Sequence, residues 1–148
     1  MDPLTHPRAT PVRQHGDDRR LAWLEVLGDL LPGDLNVTTV YPGAKLGWHR
    51  HWHQDDYMLV VAGTLKVGCW REIDIGPEDE VGRDLIWTTL DARHPQTYRI
   101  PAGWWHGYMA LGGEATVITY ITQHYNPDDE ARMPMVHTPE MVWDTVPR

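Results

Sequence analysis

The stretch that decides the fold is Gly43–Gly63, which reads GAKLGWHRHWHQDDYMLVVAG. His49 and His51 lie two residues apart, so on a β-strand both side chains point to the same face of the sheet. His53 continues that face if the strand runs on, and Asp56 follows at the start of the next apolar run. The stretch therefore predicts two neighbouring strands that direct imidazoles and a carboxylate toward one interior.

A second segment, PAGWWHGYM at 101–109, adds His106 directly after a Pro-x-Gly turn. Imidazoles and a carboxylate that converge inside a barrel can hold Fe, Mn, Ni, Co or Zn, which accept nitrogen and oxygen ligands. The same imidazoles also suit acid–base chemistry without a metal, so both interpretations stay open. The candidate metal ligands are His49, His51, Asp56 and His106.

The surrounding chain has the pattern of an all-β protein. Short apolar or alternating runs between glycine and proline turns predict strands over 35–41, 48–53, 57–62, 64–70, 85–90, 97–100, 105–111 and 115–122. Many short strands at close spacing predict a barrel or jelly roll. The acidic segment Ile73–Asp84 interrupts this pattern, and we expect it to be a solvated loop.

The 148 residues fit one domain with three segments. Residues 1–34 are predicted to be an N-terminal arm with one short helix over Arg19–Leu30, because leucines recur there at helical spacing. Residues 35–125 are predicted to be the β-barrel. Residues 126–148 contain several prolines, and we expect an irregular C-terminal arm.

Composition narrows the classes of function. The formal net charge of −8 argues against a nucleic-acid partner and against adhesion to anionic membranes. The single cysteine, Cys69, excludes an intramolecular disulfide framework, which is compatible with the reducing cytoplasm. The sequence shows neither a signal-peptide pattern nor an apolar run long enough to span a bilayer. We therefore expect a cytoplasmic protein that handles a small molecule.

The spacing of these residues resembles a known superfamily. The pattern G-x5-H-x-H-x4-D-x6-G resembles the first cupin motif, with Asp56 in place of the usual glutamate. The run Pro101-x-Gly103-x-x-His106 resembles the second cupin motif, whose usual terminal asparagine is replaced by Ala110. The resemblance implies a cupin or jelly-roll β-barrel with an HxH metal motif.

A narrower resemblance covers roughly the C-terminal two-thirds of the chain. The strings VVAGTLKVGCW, YRIPAGWWHGYMAL and TQHYNPDDEARMP are similar to the dTDP-4-dehydrorhamnose 3,5-epimerase (RmlC-like) family. That resemblance implies a homodimeric, metal-free cupin with a base histidine and a tyrosine acid. Alignment places Thr119 at the tyrosine position, and Tyr120 beside it has the opposite strand parity.

The leading hypothesis is an epimerase-like or isomerase-like enzyme for a ketone-bearing small molecule, with a nucleotide sugar as the family's usual substrate. His51 or His49 would be the base, because an imidazole with a near-neutral pKa suits proton removal next to a carbonyl. His106 would bind or polarise the carbonyl oxygen, and Tyr120 or Tyr108 would be the acid. The candidate substrate contacts are Trp48, Trp104, Trp105 and Arg71.

Two alternatives remain open from the residues. One is a metal-dependent cupin, such as a dioxygenase, that uses His49, His51, Asp56 and His106 to hold one divalent transition metal. The other is a non-catalytic cupin that binds a small molecule without turnover.

Overall fold

The computed structural model describes residues 13–26, 32–74, 76 and 81–134. In these residues the chain forms strands and one 3₁₀ turn, Pro127–Asp129. The strands are β1 Arg13–Gly16, β2 Arg20–Leu24, β3 Asp34–Val40, β4 Lys45–His51, β5 Asp56–Ala62, β6 Thr64–Asp74, β7 Val81–Asp91, β8 Thr97–Ile100, β9 Trp105–Ala110, β10 Ala115–Ile121 and β11 Glu130–Arg132. No helix in these ranges is long and apolar enough to cross a membrane.

The strands form two antiparallel sheets. One has the order β1-β2-β3-β10-β5-β8 and the other has the order β11-β4-β9-β6-β7. Neighbours such as β10 and β3, or β6 and β9, are distant in sequence, as expected when hairpins wind into a jelly roll. The predicted all-β class is confirmed.

The hydrophobic core fills one end of the space between the sheets. Along β5, Met58 and Val60 are buried in this core, whereas Asp56 lies at the other end of the strand. Along β9, Ala110 is in the core and His106 lies at the far end. Each fully buried aliphatic side chain contributes about 1.5–3 kcal/mol to folding. The apolar ends of the strands thus hold the sheets together, and the opposite ends carry the polar residues.

The predicted helix over Arg19–Leu30 is wrong for its described part. Arg20–Leu24 is strand β2, which pairs with β1 on one side and β3 on the other. Ala22 is buried while Trp23 is exposed, so the short segment alternates between faces as a strand does. Pairing with two strands overrides the weak helical periodicity of the leucines. Residues 27–31 lie outside the described residues, as does 1–12 of the predicted arm.

The prediction of a solvated loop over Ile73–Asp84 is also wrong for both ends of that segment, which belong to strands. Strands β6 and β7 are eleven residues each and pair from Thr64↔Asp91 to Asp74↔Val81. Within this extension Arg71 lies opposite Asp84, and its Nη2 is 3.2 Å from Oδ2 of that residue. Cross-strand pairs of opposite charge favour strand pairing, so the acidic character does not prevent it.

Glycine at position 63 is required by the packing of two hairpins. Gly63 joins β5 to β6 with φ of +75°, and a Cβ there would collide with the Glu114 carbonyl oxygen. Gly112 has a similar φ of +78°, but no heavy atom lies within 4 Å of the place that a Cβ would occupy. Alanine at position 112 would therefore meet only the cost of the left-handed backbone conformation, whereas alanine at position 63 would meet that cost and a steric clash.

We expect Gly112→Ala to destabilise the fold by about 1–2 kcal/mol, the cost of a left-handed conformation for an L-residue. Gly63→Ala should cost about 1–3 kcal/mol more, because the β9–β10 hairpin must also move. Urea unfolding of both variants measures the difference. Equal losses in the two variants would contradict the proposed close approach.

Candidate functional site

The polar end of the barrel opens into a cavity of about 590 Å³. Its lining comes from both sheets and includes the predicted residues His49, His51, Asp56 and His106. A cavity of this size is in the range of small-molecule sites. The structure therefore brings the predicted polar residues into one enclosed space.

A bulge in β4 directs the two histidines of the HxH motif into the barrel. Leu46 pairs with Tyr108 and His49 pairs with His106, so Gly47 and Trp48 together lie opposite one residue of β9. An extra residue of this kind reverses strand parity. The core residue Leu46 and the motif histidines consequently face the same interior.

Three side chains form the closest cluster. One ligand atom each from His49, Asp56 and His106 lies within 4.8 Å of the others. The rings of His49 and His106 meet edge to face with centroids 4.3 Å apart. His51 is not part of this group; its Nδ1 is 3.8 Å from Asp56 Oδ1. Of the four predicted metal ligands, the structure thus places three close enough together to bind one metal ion.

His106 is oriented by its own strand. Its Nδ1 is 3.1 Å from the Trp104 carbonyl oxygen, which can only accept, so Nδ1 carries the proton and donates. Its Nε2 is buried, makes no hydrogen bond and lies 3.2 Å from Asp56 Oδ2. A buried nitrogen without a hydrogen-bond partner is unfavourable, which marks this atom as one that meets a proton, a substrate or a cation.

Asp56 is an ionised carboxylate at the polar end of the barrel. Burial raises its pKa, but the neighbouring His106 imidazole, the hydrogen bond from Gln54 and the nearby His51 outweigh that effect and lower the pKa overall. Gln54 Nε2 donates to Asp56 Oδ1 over 2.6 Å and lies 3.5 Å from His51 Nδ1. Sequence reasoning missed Gln54, because it lies in a turn where strand periodicity gives no signal.

The two histidines of the HxH motif, His49 and His51, are neutral at neutral pH. Burial, reinforced by the neighbouring His106, lowers the pKa of His49 well below its ordinary value. Burial also lowers the pKa of His51, although Asp56 partly opposes the shift. A neutral imidazole has a free lone pair, which can accept a proton or bind a metal.

The two candidate tyrosines lie in different sheets, and only one of them faces the cavity. Tyr108 lines the cavity, and burial raises its pKa, so the phenol is protonated. Thr119 also lines the cavity. Tyr120 points to the opposite face of β10, where its hydroxyl lies beside Gly33. The β10–β5 irregularity falls at Thr116/Val117, before these residues, and does not turn Tyr120 inward.

Three of the four candidate substrate contacts lie away from the cavity lining. Trp105 stacks on Trp70 with ring centroids 5.7 Å apart, because its strand parity is opposite to that of His106. Trp104 lies under the Arg71 guanidinium at 4.5 Å. Trp48 lines the cavity while also packing in the tryptophan cluster behind β4. The interpretation of Trp104, Trp105 and Arg71 as substrate contacts is therefore not supported by their positions.

The cavity lining also includes arginines that the sequence analysis did not predict as site residues. Arg13, Arg19 and Arg20 come from the β1–β2 hairpin, and Arg132 comes from β11. Arg19 pairs with Asp17 at 3.4 Å, and Arg132 pairs with Glu130 at 3.2 Å. Arg20 Nε is buried, makes no hydrogen bond and lies 3.7 Å from Asp17 Oδ2, and Arg13 Nη1 lies 4.0 Å from Glu25 Oε2. This wall of the cavity therefore offers guanidinium groups that each lie near a carboxylate.

Comparison with known proteins supports the β-barrel fold described above. No family model matches the chain. The structure resembles NovW, a 4-keto-6-deoxy sugar epimerase from the novobiocin cluster of Streptomyces spheroides, with a TM-score of 0.61 and 17% identity over 94% of this chain and 81% of that one. The chain therefore has a cupin-like fold, as the sequence predicts.

Two further proteins share features with this cupin. The probable low-salt glycan biosynthesis epimerase Agl13 of Haloferax volcanii is 33% identical over 98 residues, 64% of this chain and 61% of that protein. The capsular polysaccharide assembling protein CapF of Staphylococcus aureus gives a TM-score of 0.65 at 22% identity, over 83% of this chain and 32% of CapF. The chain thus spans about three fifths of the length of the curated relative that it matches.

Acid should destabilise this cupin barrel when it has been treated with EDTA. The unfolded chain binds protons at histidine near the ordinary pKa of 6.5, whereas folded His49 and His51 bind them only at lower pH. Stability is therefore lost as the pH falls below 6.5, by about 1.4 kcal/mol for each unit by which a folded pKa is lowered.

Urea unfolding at a series of pH values between about 5 and 8 tests this dependence. His49→Gln should flatten it, and His94→Gln, which changes an exposed histidine, should not. An unaltered pH dependence in His49→Gln would mean that His49 is not held neutral.

Proposed function

We propose that this cupin is an epimerase that acts on a nucleotide sugar carrying a ketone. The observation that supports this most directly is that a neutral histidine and a protonated tyrosine, His49 and Tyr108, line one cavity. These are the protonation states that a base and an acid need before the reaction. The similarity to the probable low-salt glycan biosynthesis epimerase supports an epimerase, and the shared fold with a 4-keto-6-deoxy sugar epimerase fits a ketone-bearing sugar.

The chemistry exchanges one hydrogen at the carbon next to the ketone. The base imidazole takes that proton, the C–H electrons form an enolate, and the ketone oxygen gains negative charge. His106 would stabilise this oxygen in its doubly protonated form, in which Nε2 carries a hydrogen that the oxygen can accept. The acid then donates its proton to the opposite face of the same carbon, which restores the ketone and inverts the centre. Exchange with water then returns a proton to the phenolate and removes the proton held by the imidazole, so both groups recover their starting states.

Strand geometry favours His49 over His51 as the partner of Tyr108. His49 pairs with His106, and Tyr108 is two residues further along β9, so His49 and Tyr108 are diagonal neighbours. Diagonal neighbours on one face lie about 7–8 Å apart, enough to enclose a sugar carbon between base and acid. His51 lies two residues further in the other direction and is correspondingly more distant.

The arginines of the cavity wall would meet the charged part of a nucleotide sugar. A guanidinium group can bind phosphate oxygens through two parallel N–H donors, and Arg20 Nε is a buried donor without a hydrogen bond, 3.7 Å from Asp17 Oδ2. In this proposal the arginines, together with Trp48 of the cavity lining, take the place of Trp104, Trp105 and Arg71 as substrate contacts. The homodimer and the cytoplasmic location expected from the sequence stay predictions.

The roles of His49 as base and Tyr108 as acid can be tested with a nucleotide-linked 4-keto-6-deoxy sugar in deuterated water. Proton NMR measures the incorporation of solvent deuterium into the sugar. We expect His49→Gln to abolish incorporation. Tyr108→Phe should slow epimer formation by about 10²–10⁴-fold, the usual contribution of a positioned acid. Tyr120→Phe is the matched control, since its ring lies on the outer face. Equal effects of the two tyrosine changes would refute the assignment, and binding without exchange in the unaltered protein would favour a non-catalytic cupin.

A metal-dependent cupin is the second candidate, and the bare Nε2 of His106 favours it. The three clustered residues offer imidazole nitrogens and a carboxylate oxygen, a donor set that fits Fe, Mn, Ni, Co or Zn. His106 also donates its other nitrogen to a backbone carbonyl, as metal-bound histidines commonly do. A bound metal would supply a Lewis acid that polarises an oxygen of the substrate.

Elemental analysis of protein purified after metal-replete expression tests this candidate. A metal site predicts close to one transition metal per chain, lost in His49→Ala and Asp56→Ala. The control His124→Ala, which changes an exposed histidine paired with Asp34, should retain it. Substoichiometric metal in the unaltered protein would rule out the metal-dependent function.

A further inference from the structure

A buried carboxylate outside the barrel cavity holds the turn that carries the site. Asp129, in the 3₁₀ turn, is 4% exposed. Its oxygens accept hydrogen bonds from the His53 backbone N–H at 3.1 Å, the Gln54 backbone N–H at 3.2 Å and Gln123 Nε2 at 2.7 Å. His53 Nδ1 also lies 2.7 Å from its Oδ1. Burial raises the pKa of Asp129, but these hydrogen bonds outweigh that effect and lower it, so the residue is a carboxylate.

The groups held by Asp129 connect directly to the candidate site. Gln54 has its backbone fixed by Asp129 and its side-chain amide on Asp56 Oδ1 at 2.6 Å. Because this amide occupies one oxygen of Asp56, the other oxygen is directed at His106 Nε2, at 3.2 Å. The same amide lies 3.5 Å from His51 Nδ1, between that histidine and the carboxylate. Gln54 thus determines how Asp56 is shared between two histidines.

Asp129 itself does not reach the substrate cavity. It lines a separate surface depression of about 260 Å³, together with Trp52, His53, Asn126 and Asp128. Its neighbour Asp128 is exposed and faces the same depression, with its backbone N–H donated to Asn126. Asp129 therefore reaches Asp56 and His106 through the 53–54 turn, while its charge also acts directly on the His51 ring.

We propose that Asp129 is a positioning residue of the site, which acts through the backbone of Gln54 to fix the Gln54 amide on Asp56. Loss of the carboxylate releases the backbone N–H groups of His53 and Gln54 together. The Gln54 amide then no longer holds Asp56 Oδ1, and the carboxylate is free to turn from His106 toward His51. The inference rests on the proposed function only for its kinetic consequence.

The test compares Asp129→Asn with Asp128→Asn, which makes the same change of charge one residue away. In Asp129→Asn we expect the His53 and Gln54 amides to exchange with solvent at least tenfold faster. We also expect the ring nitrogen signals of His106 to shift at fixed pH, measured by long-range ¹H–¹⁵N correlation; His106 is the reporter because the Asp129 charge acts directly on the His51 ring. In the epimerase assay, kcat should fall about tenfold while KM changes less than twofold. Asp128→Asn should change none of these quantities.

A double-substitution cycle separates positioning from simple structural support. Gln54→Met removes the amide at nearly constant volume, and it keeps the test valid should Asp129→Asn fold poorly. If Asp129 acts through Gln54, adding Asp129→Asn to Gln54→Met lowers kcat no further, because the second link is already broken. Additive losses would overturn the proposal, as would faster amide exchange with unshifted ring signals. If the unaltered protein lacks epimerase activity, the proposed function fails, and the ring signals alone decide the positioning role.

Discussion

The site depends on the burial of one negative charge, the carboxylate of Asp56. Transferring an ion from water into a protein interior costs several kcal/mol unless partners compensate it. Here Gln54 donates to one oxygen and His106 faces the other, at 2.6 and 3.2 Å. Both partners are themselves held in place: the Asp129 carboxylate accepts from the Gln54 backbone N–H, and the Trp104 carbonyl oxygen accepts from His106 Nδ1. The polar end of the barrel is therefore organised around stabilising this charge.

The β4–β5 turn is held from two sides for the same reason. On one side Asp129 binds the backbone of His53 and Gln54. On the other, Asp55 accepts from Arg99 at 2.8 Å and from the Ala102 backbone at 2.9 Å, and the Gly103 N–H donates to the His51 carbonyl at 2.7 Å. The β4–β5 turn is thus fixed both to the 3₁₀ turn and to the β8–β9 turn. These attachments position Asp56 and His51 in addition to the hydrophobic core.

The histidines could be predicted from the sequence, whereas the groups that orient them could not. His49 and His51 keep their period-two spacing because the β4 bulge lies before the pair. The same alternation correctly gives Tyr120 an outward direction. Gln54 and Asp129 lie in turns, which have no period, and are 75 residues apart in sequence. The β2 strand was missed because its leucine spacing suits a helix locally, and only pairing with β1 and β3 decides otherwise.

The change at Thr119 constrains how a sugar would enter this barrel. In the proposed assignment the proton donor is Tyr108 on β9 and not Thr119 on β10, because a threonine hydroxyl is a far weaker acid than a phenol. Base and acid then project from neighbouring strands of one sheet, because β4 pairs with β9. Inversion requires them to reach opposite faces of one carbon, so the sugar ring must insert edge-on between His49 and Tyr108. An enzyme with its acid on the opposite sheet would instead hold the ring flat between the two sheets.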